Sequence, residues 1–330
     1  MATAQFRKEA AAPWARQPDV AQKVKALIDN IERVIFGKRD VVKLCVTGLL
    51  ARGHIIIEDV PGTGKTTLAQ GLARSIDTTF HRIQFTSDML PSDIIGVSVL
   101  DPRTNSFEFR PGPIFAGIVL ADEVNRTPPK SQSALLEAMS EHQVTIDGVT
   151  HKLPEPFMVL ATENPIEYEG TYTLPESQLD RFSLRVELGY PGDADELRIM
   201  RRRDPRTALE QLRPVVTAQE VRELQRLAGE VRVEDSVAEY MLAIVKGTRG
   251  HEYVQLGGSP RASVTFYESC QARALVEGRD YVVPDDVKVM AVPVLSHRIL
   301  VRSRDGNPIS AARARGRAVL EVLKHTPIPE

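Results

Sequence analysis

Asp59-Val-Pro-Gly62-Thr-Gly64-Lys65-Thr66 lies between the apolar run His54-Ile-Ile-Ile-Glu58 and the helix-like stretch Thr67-Leu-Ala-Gln-Gly-Leu-Ala73. A strand, a glycine-bearing loop and a helix start, in that order, form a cradle for a polyphosphate. Loop N–H groups point inward and the helix N-terminus adds partial positive charge, so an anion is favoured there. The expected cradle is Val60, Pro61, Gly62, Thr63, Gly64, Lys65, Thr66 and Thr67, with Lys65 reaching the terminal phosphates and the Thr66 hydroxyl suited to a magnesium ion. The usual pattern, G-x-x-x-x-G-K-[ST], opens with glycine, whereas this chain has Asp59. An Asp tolerates a left-handed backbone better than most residues, but it brings a carboxylate near the phosphates.

The chain has 330 residues and a formal net charge of −2, with 42 basic against 44 acidic side chains. That length accommodates two domains, and the near balance of charge gives no bulk attraction to nucleic acid or membrane. Arg201–Arg203 and Arg313–Arg317 read as solvated helix faces. Cys45 and Cys270 lie far apart with no metal-ligand spacing, and read as small core residues in a reducing compartment. No apolar run approaches membrane-spanning length and no signal-peptide core is present, so a cytoplasmic protein is expected.

Apolar residues recur at helical spacing from Val20 to Ile35, and a second helix is expected over Asp40–Arg52. Five short apolar runs, His54–Glu58, Phe80–Phe85, Gly117–Ala121, Phe157–Ala161 and Leu184–Leu188, predict central parallel strands alternating with helices. Two hairpin signatures interrupt the alternation: Gly96–Phe109 around a turn-rich loop, and Val144–Leu153 around Asp147-Gly148. Past Tyr190-Pro-Gly192 the period turns helical, with a capping box at Thr217-Ala-Gln-Glu220 and helix starts at Pro260 and Pro284. The fold class expected is α/β with about five parallel strands, two inserted β-hairpins and a C-terminal all-helical lid. Its divisions are a mobile segment over 1–18, an α/β core over 19–191 and a separate helical domain over 193–330.

A nucleotide hydrolase needs a second carboxylate station at a neighbouring strand end. Gly117-Ile-Val-Leu-Ala121 runs into Asp122-Glu123. Asp122 suits magnesium held mostly through water, and Glu123 suits deprotonation of an attacking water. Phe157-Met-Val-Leu-Ala161 leads to Thr162-Glu-Asn164-Pro165, where Asn164 can hydrogen-bond a γ-phosphate and that water if its strand lies between the other two.

Together with Arg110-Pro-Gly-Pro-Ile-Phe115, Ala121-Asp-Glu-Val-Asn-Arg126, Ala161-Thr-Glu-Asn-Pro165 and the run from Glu169 through Leu179-Asp-Arg-Phe182, these motifs resemble the MoxR family of AAA+ ATPases over nearly the whole chain. The resemblance implies that Asn164 is a first sensor, that Arg181 is an arginine finger on the γ-phosphate of a neighbouring subunit, and that Arg261 is a second sensor projecting from the lid. It leaves open whether Arg181 or Arg185 points at the neighbour. Ile35, Phe36 and Gly37 resemble the wall of an adenine pocket. ATP and Mg2+ are the implied cofactors. The implied partners are further copies in a ring (a hexamer), a von Willebrand factor A domain protein and a protein client that is remodelled, activated or loaded with a metal cofactor. The competing readings are the AAA+ subunit of a magnesium chelatase, a nucleic-acid motor and a nucleotide-binding scaffold that hydrolyses little. The motor is disfavoured because the hairpins lack Lys/Arg-rich tips. The scattered histidines have no mutual ligand spacing. Phe107 and Phe109 on the first hairpin could contact a client or pack on Phe115.

Overall fold

The computed structural model describes residues 18–163, 172–201, 205–302 and 308–329. Helix α1 (Pro18–Glu32) forms because Val20, Val24, Leu27, Ile28 and Ile31 fall on one face, and all five are buried. α2 (Arg39–Leu50) precedes β1 (Ile55–Glu58), the phosphate loop and α3 (Lys65–Ser75). β2 (Phe80–Gln84), α4 (Pro91–Ile95), the hairpin β3 (Gly96–Asp101) and β4 (Ser106–Pro111), and β5 (Ile118–Asp122) follow. Then come α5 (Pro129–Glu141), the hairpin β6 (Gln143–Ile146) and β7 (Val149–Lys152), β8 (Met158–Glu163), α6 (Glu176–Leu179) and β9 (Leu184–Val186).

The five strands form one parallel sheet in the order β2-β5-β8-β1-β9. β1 and β5 are buried throughout, and β8 up to its last residue, Glu163, because helices cover both faces. Alternate residues feed two apolar clusters. Ile55, Ile57, Ile118, Leu120, Met158 and Leu160 face one, and Ile56, Val119, Ala121, Val159 and Ala161 face the other. β2 and β9 depart from the expectation of central strands: they are the two edges of the sheet, and His81, Arg82 and Gln84 of β2 are exposed. The hairpins pack together through Phe109, which stacks on His151 and meets Phe115 edge-on, while Phe107 is 74% exposed.

Beyond the sheet come α7 (Asp193–Arg201), α8 (Pro205–Glu210), α9 (Ala218–Ala228), α10 (Asp235–Gly250), β10 (Val254–Leu256), α11 (Pro260–Val276), α12 (Pro284–Leu295), β11 (Leu300–Val301) and α13 (Pro308–His325). The capping box at Thr217 is formed, and Pro260 and Pro284 open their helices. This helical region also contains the antiparallel pair β10–β11. Its apolar residues, including Val245, Phe266 and Met290, are continuous with Val46 and Leu49 of α2 and with the first sheet face. The change at 191–193 is therefore one of secondary structure, with no break in packing. Cys45 and Cys270 are free thiols inside this core, and burial pushes the Cys45 thiol up to about 12.

Candidate active site

The phosphate loop leaves the C-terminal end of β1, the end at which ligands bind parallel sheets. Gly62 and Gly64 have φ of +84° and +96°, a region only glycine enters freely, and Gly64 caps α3. Lys65 Nζ donates to the carbonyls of Asp59 and Val60 at 2.8 and 2.9 Å. Burial pulls the Lys65 ammonium below its usual value, while Asp59, Asp122 and Glu123 act to raise it. Asp59 is nearly buried, and its two oxygens are both used. Oδ1 accepts from its neighbour Val60 N at 2.7 Å, and Oδ2 accepts from Gly189 N at 2.7 Å. The carboxylate therefore ties the loop to the segment entering the helical region.

Around that tie stand the residues expected to wall an adenine. Ile35 approaches Gly64, and a Cβ on Gly37 would sit 2.1 Å from Asp195 Oδ2 of α7. Arg198 of the same helix lies 4.3 Å over the Phe36 ring. Glu32, Arg33, Phe36, Arg198 and Gln211 line a cleft of about 400 Å³ here. Lys38 Nζ closes the corner on the Tyr190 carbonyl at 2.7 Å.

β8 lies between β1 and β5, as the placement of a sensor between loop and carboxylates requires. Asn164 itself lies outside the described residues. Thr162, two positions earlier on β8, donates its hydroxyl to Asp122 Oδ1 at 2.5 Å and accepts from Glu123 N at 2.9 Å. Glu123 stands in the left-handed region at φ +59°, a conformation that costs a non-glycine residue about 1–2 kcal/mol. Gln84 Nε2 donates to Glu123 Oε2 at 2.7 Å, and Arg126 Nε lies 3.2 Å from that oxygen. Arg82 donates Nε and Nη2 to Asp122 Oδ2 at 3.0 and 2.6 Å.

Thr162, Arg82 and Gln84 were not singled out from the sequence. A signal for the last two is the alternation Arg82-Ile-Gln84-Phe85, which an apolar-run reading passes over. The oxygen donors Thr66 and Asp122 suit a hard cation that keeps several waters. Among the described residues there is no cluster of three or more His, Cys, Asp or Glu side chains that could hold a metal alone.

The arginines lie elsewhere. Ser183 N and Leu184 N donate to the carbonyl of His54, the residue just before β1. Arg181 Nη1 donates to Leu136 O and Ser140 Oγ of α5 at 2.8 and 2.9 Å. Ser259, the N-cap of α11, donates to Asp180 Oδ2 at 3.1 Å, which docks exposed Arg261 on the same edge. Burial is the main reason the His54 imidazole is lowered to about 4, and Arg261 adds to it. Arg181 and Arg261 thus share the strand-start edge, with the length of β1, roughly 13 Å at 3.3 Å per residue, separating it from the phosphate loop. Arg185 is paired inside the chain, with Glu58 at 2.8 Å and Glu187 at 2.6 Å. Arg315 lies 3.8 Å from Glu58 and is mostly covered, so this part of Arg313–Arg317 is not the solvated face expected from sequence. Arg202 and Arg203 lie outside the described residues.

A five-stranded parallel sheet with a phosphate loop on β1, a carboxylate pair on β5 and a C-terminal helical region defines an ATPase of the AAA class. Residues 54–184 match the family described as "ATPase family associated with various cellular activities (AAA)", and residues 246–316 match "AAA lid domain". Chaperone MoxR1 of Mycobacterium tuberculosis is 40% identical over 83% of this chain and 74% of its own length. YeaC of Bacillus subtilis, an uncharacterised protein, is 50% identical over 87% of this chain and 90% of its own. The crystal structure of a candidate ATPase from Cytophaga hutchinsonii superposes with a TM-score of 0.86 at 37% identity, covering 94% of this chain and 96% of that one. The chain belongs to the MoxR family of AAA+ ATPases. It is an ATP-hydrolysing enzyme.

Proposed function

We propose that ATP is hydrolysed between subunits of a ring and that the resulting motion remodels or activates a protein client. The carrying observation is the separation within one chain of Lys65, Thr66, Asp122 and Glu123 from Arg181 and Arg261, at opposite ends of the strands of one sheet. A γ-phosphate held by Lys65 is therefore beyond the reach of its own Arg181, and a second copy completes the set. In this reading Thr66 and Asp122 hold Mg2+, which neutralises phosphate charge. Glu123 takes the proton of the attacking water, and Asn164 orients that water. Arg181 and Arg261 of the adjoining copy stabilise charge developing on the phosphoryl oxygens. For Arg261, this replaces a contact with nucleotide bound to its own chain. Loss of the γ-phosphate then removes the anion that holds two copies together, biasing the interface between two arrangements.

The relative named a chaperone supports a protein client. The exposed hairpin residues Leu100, Phe107 and Val149 offer it an apolar surface. A von Willebrand factor A domain partner, metal-cofactor insertion and a hexameric count are carried by the family resemblance alone.

The test is complementation. Glu123→Gln and Arg181→Ala proteins should each bind ATP and turn over almost none. Mixed, they should recover activity, because an intact Glu123 in one copy then faces an intact Arg181 in the next. Absence of recovery in a mixture that co-assembles would place Arg181 on its own nucleotide and defeat the reading.

A further inference from the structure

The two carboxylates of the site are joined by a third residue on the edge strand. Arg82 gives two N–H groups to Asp122 Oδ2, and its Nη2 also donates to Gln84 Oε1 at 2.8 Å. An amide that accepts at its oxygen has its nitrogen committed to the other side, where Gln84 Nε2 meets Glu123 at 2.7 Å. The other oxygen of Asp122 is taken by Thr162. One guanidinium on β2 thus holds Asp122 directly and Glu123 through Gln84 of the same strand, with Arg126 beside Glu123 as a second cation.

We propose that Arg82 is a positioning residue that couples the metal station to the general base. Its guanidinium stands in for a cation on Asp122, and its withdrawal makes Asp122 more available to Mg2+ and unlocks Gln84 from Glu123. The inference rests on the reading of Asp122 as a metal station. A guanidinium and a divalent ion compete for one carboxylate oxygen, so Mg2+ entry displaces Arg82 from Asp122. Gln84 then loses the partner that fixes its amide, and its bond to Glu123 becomes one of several rotamers. The base is thereby restrained until metal arrives with nucleotide. Because Arg82 is about half exposed, the competition is mild and adjustable rather than a block.

The measurement is the calorimetric Kd for ADP in excess Mg2+ and in EDTA, taken as a ratio. Arg82→Gln removes the competing charge, and should increase the metal's strengthening of ADP binding about fivefold, the size of a half-exposed ion pair. Arg82→Lys keeps a cation on Asp122 and should stay near the wild-type ratio. Gln84→Leu leaves the Arg82–Asp122 pair in place, and should also keep that ratio. An Arg82→Gln ratio equal to wild type would overturn the proposal. So would an equal loss of affinity with and without metal, which would make Arg82 a phosphate-binding cation. A Gln84→Leu ratio that moves as far as that of Arg82→Gln would also overturn it, by showing general loosening. If wild-type ADP binding ignores Mg2+ altogether, the reading of the metal station fails instead.

Discussion

Asp59 stands where the phosphate-loop pattern has glycine, and its surroundings explain the substitution. Its backbone is not required to be left-handed, since Gly62 and Gly64 supply the positive φ angles. Its carboxylate is spent on two backbone N–H groups, Val60 and Gly189, and so holds the loop to the entry of the helical region. Asp59→Gly loses both bonds and adds freedom to the unfolded chain, so it should destabilise the protein by about 2 kcal/mol in urea unfolding. Calorimetry should find nucleotide binding retained, because the phosphate-facing N–H groups are unchanged. Loss of binding would mean that the tie to Gly189 shapes the cradle itself. Glu123 teaches the complementary lesson: its left-handed backbone and its bond from Gln84 leave no trace in local sequence, because partners from β2 and β8 impose them.

At the level of elements, the ends of β1 and β8 meet a charge cluster that reaches into α13. Glu58 and Glu163 are paired in register, and Arg185 and Arg315 approach Glu58. Burial, with the neighbouring Glu58, pushes the Glu163 carboxyl from its ordinary 4.5 up to about 7, against the pull of Arg315 and Arg185. A raised folded value means that the native chain holds a proton the unfolded chain has released. The Glu163 contribution is therefore most favourable below pH 4.5, declines as pH rises through the window from 4.5 to 7, and stays lost above it. Glu163→Gln, which mimics the protonated acid, should stabilise the fold at pH 8 by about 2 kcal/mol and leave it unchanged at pH 4.5. Denaturation curves at the two pH values check this, and equal shifts at both would exclude titration of Glu163 as the cause. In the basic run Arg313 and Arg317 are exposed while Arg315 is mostly covered, because helical spacing gives a residue's face but what packs on that face is a tertiary matter.

For the molecule as a whole, one apolar core joins the first sheet face to the helical region, so hydrolysis is expected to shift subunits against one another more than to unhinge a loose lid. Light scattering of Glu123→Gln protein with ATP should give a multiple of the 36.6 kDa monomer. A single monomeric species would count against every role assigned to Arg181 and Arg261 across an interface. Among the described residues no helix is long and apolar enough to cross a membrane.

The five strands, the phosphate loop and the Asp122-Glu123 pair were legible in the chain because each is written locally, as an apolar run, a glycine spacing or a strand-end carboxylate. The two hairpins and the helix starts were legible for the same reason, through turn dipeptides, prolines and a capping box. Edge and centre were not: β2 and β1 both read as strands, and only sheet order exposed Arg82 and Gln84 to the site. Nor could spacing tell that Arg181 and Arg261 gather at the strand starts, since that follows from the bonds of Arg181 to α5 and of Ser259 to Asp180. Local backbone and side-chain chemistry determine which elements form. Long-range packing decides which of their polar residues meet, and at which end of the sheet.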